Sequence, residues 1–388
     1  MLKVVVGHSE DPESQYAVEE VLEQCHKALA DHLPQAGILF AAIDFEHSLI
    51  LKEINQAFPN LELIGCTTDG EISSVLGFQQ SSLALMLFCS DTIEIYAGVG
   101  HGTEDNAIAA AKQAVQQATQ NSSTPPKLCI TLPASYVEEG VTTSGEAILE
   151  GLDLALNSQV PIVGGTAGDQ HKFQKTYQFF RTEVLTGALP VLIFSGELLC
   201  SYGAACGWQT MGSKSLVTKA QGTVLYEIEG QPALEFYKQY LGDKTPNQEN
   251  PLAVYQENGD RYYMRVPNLH DRETGSITFL GKVPEQALVQ LTEVSRDQII
   301  EASESSFKMA LERYPGEEPE AVFLFSCCCR RWVLGTRTQE EYQLVKKVFP
   351  KNLPTCGFYT YGEFAPLEKV GSNYFHQETF VTLLLGTK

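Results

Sequence analysis

Apolar residues along the chain fall into strand-length runs and helix-spaced pairs that alternate in a fixed order. The runs GILFAAI (37–43) and AVFLFSC (321–327) each read as a strand. Each is followed by helically spaced apolar positions, Leu49/Ile50, Ile54 and Ala57/Phe58 in one case and Leu344/Val345 and Val348/Phe349 in the other. Both helices run up to Phe-Pro, at Phe58-Pro59 and Phe349-Pro350. A Gly-rich segment comes next, GCTTDGE (65–71) and GFYTYGE (357–363), both fitting G-x-[TY]-T-x-G-E. An apolar strand closes each unit, SLALMLF (82–88) and TFVTLLL (379–385). The later helix carries a sequence capping box, Thr338 with Glu341 three residues on.

A middle segment repeats the order: KLCITL (127–132), a helix near Ser144–Asn157, PIVGGTAGD (161–169) and ALPVLIF (188–194). Its motif is one residue shorter, with Asp169 in place of the glutamate. Three copies of one supersecondary unit indicate internal duplication. NSSTPPK (121–127) connects the first two copies. A later part opens near GTVLYEIEGQPALEFYKQYLGD (222–243), with Pro232 at a first helical turn and Gly242 past the helix end. Arg296–Arg313 reads as a helix with Ile299/Ile300, Ser303, Phe307 and Ala310/Leu311 on one face. The predicted fold is mixed α/β in two duplicated halves, 1–215 (copies near 37–88 and 127–194) and 220–388, built from βαββ units whose mixed sheets are covered by helices.

Composition narrows the function classes. In 388 residues there are 27 basic and 48 acidic residues, a net charge of −21, which disfavours nucleic acid and anionic membrane surfaces as partners. The apolar runs are strand-length, well short of the roughly 18 residues of a membrane helix. MLKVVVGHS reads as a first strand and not as a signal peptide. Ten cysteines lie in apolar runs or in the triplet Cys327–Cys328–Cys329, without paired CxxC motifs, which fits reduced thiols and a cytoplasmic setting.

Five segments, IGCTTDGEI, EIEGQPALEFYKQYLGD, SCCCRRWVLG (326–335), PTCGFYTYGEFAP (354–366) and FHQETFVTLLLG, together resemble the FIST sensory module, in the family's order over roughly residues 25–386. The resemblance implies an N-terminal and a C-terminal FIST domain. It also implies a small-molecule-binding sensory role in intracellular signal transduction, with amino acids proposed as ligands. In the family this module stands alone or is fused to outputs such as kinase, chemotaxis-receptor or cyclic-diguanylate domains. Because the resemblance leaves no length for an output domain, a separate output protein of one of those kinds is the expected partner. Some family members are described as haem-binding nitric-oxide sensors, so a gas sensor is an alternative. No cofactor is otherwise implied.

The candidate ligand contacts are the repeated strand ends and the residues beside them. Glycines at such ends, Gly65, Gly70 and Gly357 among them, permit turns and close backbone approach. Thr67, Thr68 and Thr360 offer hydroxyls, while Glu71, Asp169 and Glu363 offer carboxylates for an ammonium group, unless they cap a helix or pair with an arginine. Arg330 falls on the arginine of the family's S-C-x-x-R pattern and suits a carboxylate. The alternative for it is an ion pair with Glu363 or another acid, and Arg331 beside it reads as solvated. Tyr359 and Tyr361, two apart on an extended segment, share one face and could stack on a ligand or fill the core. His376 is a polar contact or a satisfied structural histidine.

Other chemistries have weaker footing. The cysteine triplet does not read as a metal site, because neighbours on a strand alternate faces. His8 and His101, at strand ends, are the better of the eight histidines for haem, and CxxCH is absent. GVGHG (98–102) is a tight turn rather than a dinucleotide loop. No GxSxG, HExxH or P-loop occurs, so the protein is expected not to be an enzyme and to bind no metal; a site on Cys66 beside Glu71 is the enzymatic alternative.

Overall fold

A computed structural model describes residues 1–255, 259, 261–349, 353–368 and 371–388. The fold is mixed α/β with mixed sheets covered by helices. The three repeat copies build three six-stranded sheets with the same strand order. In the first, Leu2–Ser9 pairs antiparallel with Leu83–Ser90. That strand pairs antiparallel with Ala36–Ala41, which runs parallel to Glu62–Thr67. The second repeats this with Ile93–His101, Ala188–Gly196, Pro126–Thr131 and Ile162–Gly165. The third uses Leu199–Ala205, Phe380–Gly386, Ala321–Cys327 and Thr355–Thr360.

Each sheet is finished by a hairpin from a different copy. Residues 178–185 of the second copy complete the first sheet, pairing Phe179 with Gly65. Residues 363–376 of the third copy complete the second sheet, pairing Glu363 with Gly165. Residues 71–79 of the first copy complete the third, pairing Glu71 with Phe358. The exchange is cyclic, so the copies are related by a pseudo-threefold arrangement.

Strand alternation explains the long apolar runs. In Leu83–Ser90 the residues Ala84, Met86 and Phe88 face a core shared by all three sheets, while Leu83, Leu85 and Leu87 face the helices Ser14–Leu29 and His47–Ala57. Phe88 marks the centre of the shared core, with ring centroids 5.5 Å from Phe194 of the second sheet and 6.0 Å from Phe323 of the third. The helices Thr103–Thr119 and Gly145–Ala155 cover the second sheet, and Arg296–Arg313 and Thr338–Val348 cover the third.

Residues 209–293 form an insertion in the third copy, between strand Leu199–Ala205 and helix Arg296–Arg313. Its strands and helix Ala233–Leu241 enclose a separate core that includes Val217, Leu225, Tyr237 and Leu291. The boundary expected at 215–220 therefore falls within the 13-residue strand Gln209–Gln221, and the first strand of the third copy lies before it. Pro232 and Gly242 flank the helix as expected, with Gly242 at φ 65°. The segment GVGHG is not a turn throughout: Gly98 to His101 continue strand Ile93–His101, paired with Ala188–Gly196, and the turn is confined to Gly102, which is left-handed. Pro350 lies outside the described residues. Among the described residues no helix is long and apolar enough to cross a membrane.

Candidate functional site

The repeated strand ends do meet. Their backbones close a ring of three equivalent hydrogen bonds: Asp69 N–H to Tyr359 C=O at 3.0 Å, Gly168 N–H to Thr67 C=O at 2.9 Å, and Tyr361 N–H to Thr166 C=O at 3.3 Å. Each bond joins two different copies.

Most positions that the repeats share serve this junction. A Cβ on Gly65 would lie 2.3 Å from the Leu39 carbonyl oxygen, and one on Gly357 2.0 Å from that of Leu324, so these glycines admit the neighbouring strand rather than a ligand. Thr360 Oγ1 donates to Glu363 Oε1 at 2.7 Å and accepts the Gly362 N–H at 3.1 Å. Thr68, Gly70 and Glu71 repeat that turn, with Gly70 at φ 124°. The second oxygen of each glutamate accepts a backbone N–H at 3.1 Å, from Thr379 for Glu363 and from Ser82 for Glu71. Both carboxyls are fully buried, and burial raises them, Glu71 to about 7 and Glu363 to about 8. Thr67 and Thr68 are fully buried as well.

Arg330 is also interior. Its Nη2 donates to Glu341 Oε1 at 2.7 Å, Ser303 Oγ at 2.8 Å and the Ile299 carbonyl at 2.9 Å, and its Nη1 donates to the Cys206 carbonyl. The clamp expected of Arg330 is therefore directed at the protein itself, and its acid is Glu341 rather than Glu363. Glu341 also accepts the Tyr359 hydroxyl at 2.5 Å. The capping box read at Thr338 and Glu341 does not form: Thr338 Oγ1 donates to the Gly335 carbonyl, and Glu341 turns inward. Tyr359 and Tyr361 part company as well. The strand ends at Thr360, and Tyr359 packs edge-on to Phe78 under the helices while Tyr361 is half-buried at the surface.

Side chains from all three copies gather beside Tyr361. Asp69 of the first is fully buried. His171 Nδ1 of the second lies 2.8 Å from Asp69 Oδ1, and Arg331 Nη1 of the third lies 2.8 Å from Asp69 Oδ2. The His171 contact is short but poorly aligned, so Oδ1 accepts no hydrogen bond of good geometry. Arg331 is thus not simply solvated; its side chain is 15% exposed, and no acceptor among the described residues takes its Nε or Nη2. Around this centre lie Phe173 (44% exposed), Trp332 (58% exposed), Tyr136 and Tyr361. Phe173 and Tyr361 have ring centroids 4.9 Å apart, and His171 and Trp332 5.5 Å.

Asp169 sets the loop that carries His171 and Phe173. Its carboxylate accepts the N–H groups of Phe173 (2.9 Å), Gln174 (2.8 Å) and Lys175 (3.0 Å), and the Tyr361 hydroxyl at 2.5 Å. The Tyr361 oxygen in turn accepts the His171 N–H at 2.8 Å. These bonds hold Gln170, His171 and Phe173 at φ 57°, 60° and 51°, left-handed conformations that non-glycine residues rarely adopt.

The three thiols of Cys327–Cys329 converge, contrary to the strand-alternation expectation. Cys327 ends a strand and the helix Cys328–Leu334 begins at the next residue, which brings the three sulfurs within 4.8 Å of one another. Burial pushes the Cys327 thiol well above its ordinary range, and the Cys66 thiol likewise, with Glu71 adding to the rise in Cys66. Neither is poised as a nucleophile. His8 does not fit an axial haem role, since its Nδ1 and Nε2 are 2.6 Å from Ser73 Oγ and 2.8 Å from Ser82 Oγ. His101 is exposed at its strand end. His376 is buried, with Nε2 2.9 Å from the Ala365 carbonyl oxygen, and it borders a 410 Å³ cavity against the insertion, lined also by Cys206, Tyr262 and Met264.

Asp69, His171, Phe173 and Trp332 were not among the residues the sequence singled out, and Arg331 was read there only as solvated. A signal for the first was present: Asp69 and Tyr361 occupy the variable position of T-x-G-E, where the copies differ and unlike chemistry can enter the junction.

Comparison with known proteins agrees with the segment resemblance. Residues 35–231 match the FIST N domain and residues 233–366 the FIST C domain. An uncharacterised protein of Methanocaldococcus jannaschii is 26% identical over 202 residues, which span 49% of this chain and 40% of that protein. An uncharacterised protein of Mycobacterium tuberculosis is 22% identical across 97% of both chains. The crystal structure of a cyanuric acid hydrolase from A. caulinodans aligns over 100% of both chains with 9% identity and a TM-score of 0.43, a likeness too slight to bear on function. With both domain matches in chain order and together spanning most of its length, this chain belongs to the FIST family, whose domains are associated with sensory roles in signal transduction.

Proposed function

We propose that the protein is a non-catalytic small-molecule sensor and that its ligand, an amino acid or a similar carboxylate metabolite, docks at the surface where the three copies meet. The observation that carries this reading is Arg331: one guanidinium nitrogen is held by a buried carboxylate, the guanidinium lies 5.6 Å from the half-buried Phe78 ring, and no acceptor among the described residues takes its remaining donors. A guanidinium oriented in this way presents a two-donor edge to a carboxylate at little further entropic cost. Phe173, Tyr361 and Trp332 would flank the ligand's apolar part.

Ligand binding here would tie the 170–175 loop of the second copy to Arg331 and Trp332 of the third. It would thereby favour one arrangement of that loop, which a separate output protein such as a kinase, chemotaxis receptor or cyclic-diguanylate enzyme reads. A thermal-shift screen of amino acids and small carboxylates against the full chain tests the reading. The expected result is stabilisation by a compound of this class that is lost in Arg331→Ala and kept in a Lys112→Ala surface control. Stabilisation that survives Arg331→Ala places the ligand elsewhere and removes the proposal.

A further inference from the structure

At this junction, Asp69 Oδ1, His171 Nδ1 and Cys328 Sγ all lie within 4.8 Å of one another. They come from the three different copies and from residues far apart in sequence. Two are buried, Asp69 fully and Cys328 almost so, while the His171 side chain is 22% exposed and marks the solvent side. Asp69 Oδ1 is a fully buried carboxylate oxygen that, with His171 Nδ1 2.8 Å away, still accepts no well-formed hydrogen bond, although Oδ2 of the same group is held by Arg331. A buried carboxylate oxygen left in this way calls for a further partner.

We propose that Asp69, His171 and Cys328 bind a divalent transition-metal ion of the zinc class. Carboxylate oxygen, imidazole nitrogen and thiolate sulfur are the ligand set such an ion takes, and three protein ligands leave the fourth tetrahedral position open. The second shell is in place: Arg331 orients the Asp69 carboxylate, and Tyr361 and Asp169 fix the backbone on which His171 is mounted. A dication with one carboxylate and one thiolate is neutral, so the Arg331 charge stays available to an anion beside the open position. The metal site extends the sensor reading but does not depend on it, and it is probed with metal alone.

The rival site is the thiol triplet, which shares Cys328. Cobalt(II) titrated into the full-length, metal-stripped protein separates the two. The expected result is one equivalent bound with tetrahedral d–d bands and sulfur-to-cobalt charge transfer, and displacement by zinc(II). Cys328→Ser should abolish the charge-transfer absorption, and His171→Ala, on a surface loop, should weaken binding at least tenfold, about the cost of a lost ligand or orienting partner. Cys329→Ser should change neither. Circular dichroism of each metal-free variant establishes that it is folded. Absence of one-to-one binding overturns the proposal. So does cobalt absorption that persists in His171→Ala at wild-type affinity but disappears in Cys329→Ser.

Discussion

At the scale of single residues, the interior of the third copy is built on charge. Arg330 and Glu341 are 0% and 1% exposed, and their partners are all internal. Removing one member leaves the other charged and dry, which costs about 3–5 kcal/mol, whereas replacing both by apolar residues of similar volume is close to neutral. Urea denaturation of Glu341→Gln should show a loss of that size, and Arg330→Met with Glu341→Leu should recover most of it. A second set of groups sets the pH response. The folded protein raises the carboxyl of Glu363 from 4.5 to about 8, so between those values the native state holds a proton that the unfolded chain has released. Stability attributable to this group therefore falls as pH rises from about 5 to 8. His8 and His376 act on the other side: burial lowers both from 6.5 to about 4, so their contribution is lost as pH falls through that interval. Glu363→Gln should flatten the alkaline limb of the stability profile and leave the acid limb unchanged, and an unaltered alkaline limb would show that other groups set it. The sequence made Glu363 and Arg330 visible as unusual residues. It could not show that they face inward, because the partner of Arg330 is on a helix whose surface pattern reads as a capping box.

At the scale of elements, the repeat was legible and its meaning was not. Strands, helices and their order follow from period-2 and period-3.6 spacing, and the helices at 47–57, 145–155, 296–313 and 338–348 lie where the apolar pairs put them. The positions that recur in the Gly-rich segments recur because each copy must make the same turn and admit the same neighbouring strand. Polar side chains that differ between the copies enter the junction instead through the variable position and through the 170–175 loop, which follows the shortened motif of the second copy. With no glycine at 170, 171 or 173, nothing in the composition of this loop signals three left-handed residues. The conformation is imposed by Asp169. Asp169→Asn would place an amide donor against the N–H groups of residues 173–175 and remove an acceptor from them. Faster amide exchange confined to residues 170–175, with little change in global unfolding, is the expected outcome, and it should be accompanied by loss of ligand or cobalt binding through misplacement of His171. Exchange that stays slow would mean that Tyr361 alone suffices to hold the loop.

At the scale of the whole molecule, the exchanged hairpins decide what can fold independently. Two repeat copies precede residue 197, but their sheets are not self-sufficient. The second sheet needs residues 363–376 beside Ile162–Gly165, and the hairpin 71–79 has its partner strand at 355–360. The inner faces of the first two sheets also lack Phe323, Phe325 and Phe358, which complete the shared core around Phe88 and Phe40. A fragment of residues 1–196 would therefore expose the inward faces of two sheets and two unpaired strand edges, at 162–165 and 71–73, surfaces that promote association rather than a unique fold. The fragment is expected to show no cooperative thermal transition by circular dichroism and to aggregate, and co-expression with residues 197–388 should recover a soluble one-to-one complex. A sharp, reversible transition of the isolated fragment would mean that the copies fold as separate domains and that the hairpin exchange only links them. The distinction matters for sensing. If the three copies form one cooperative body, the ligand proposed at their junction would act on the stability of the entire molecule, and its effect would reach the outer helices through sheets that each contain strands of two copies.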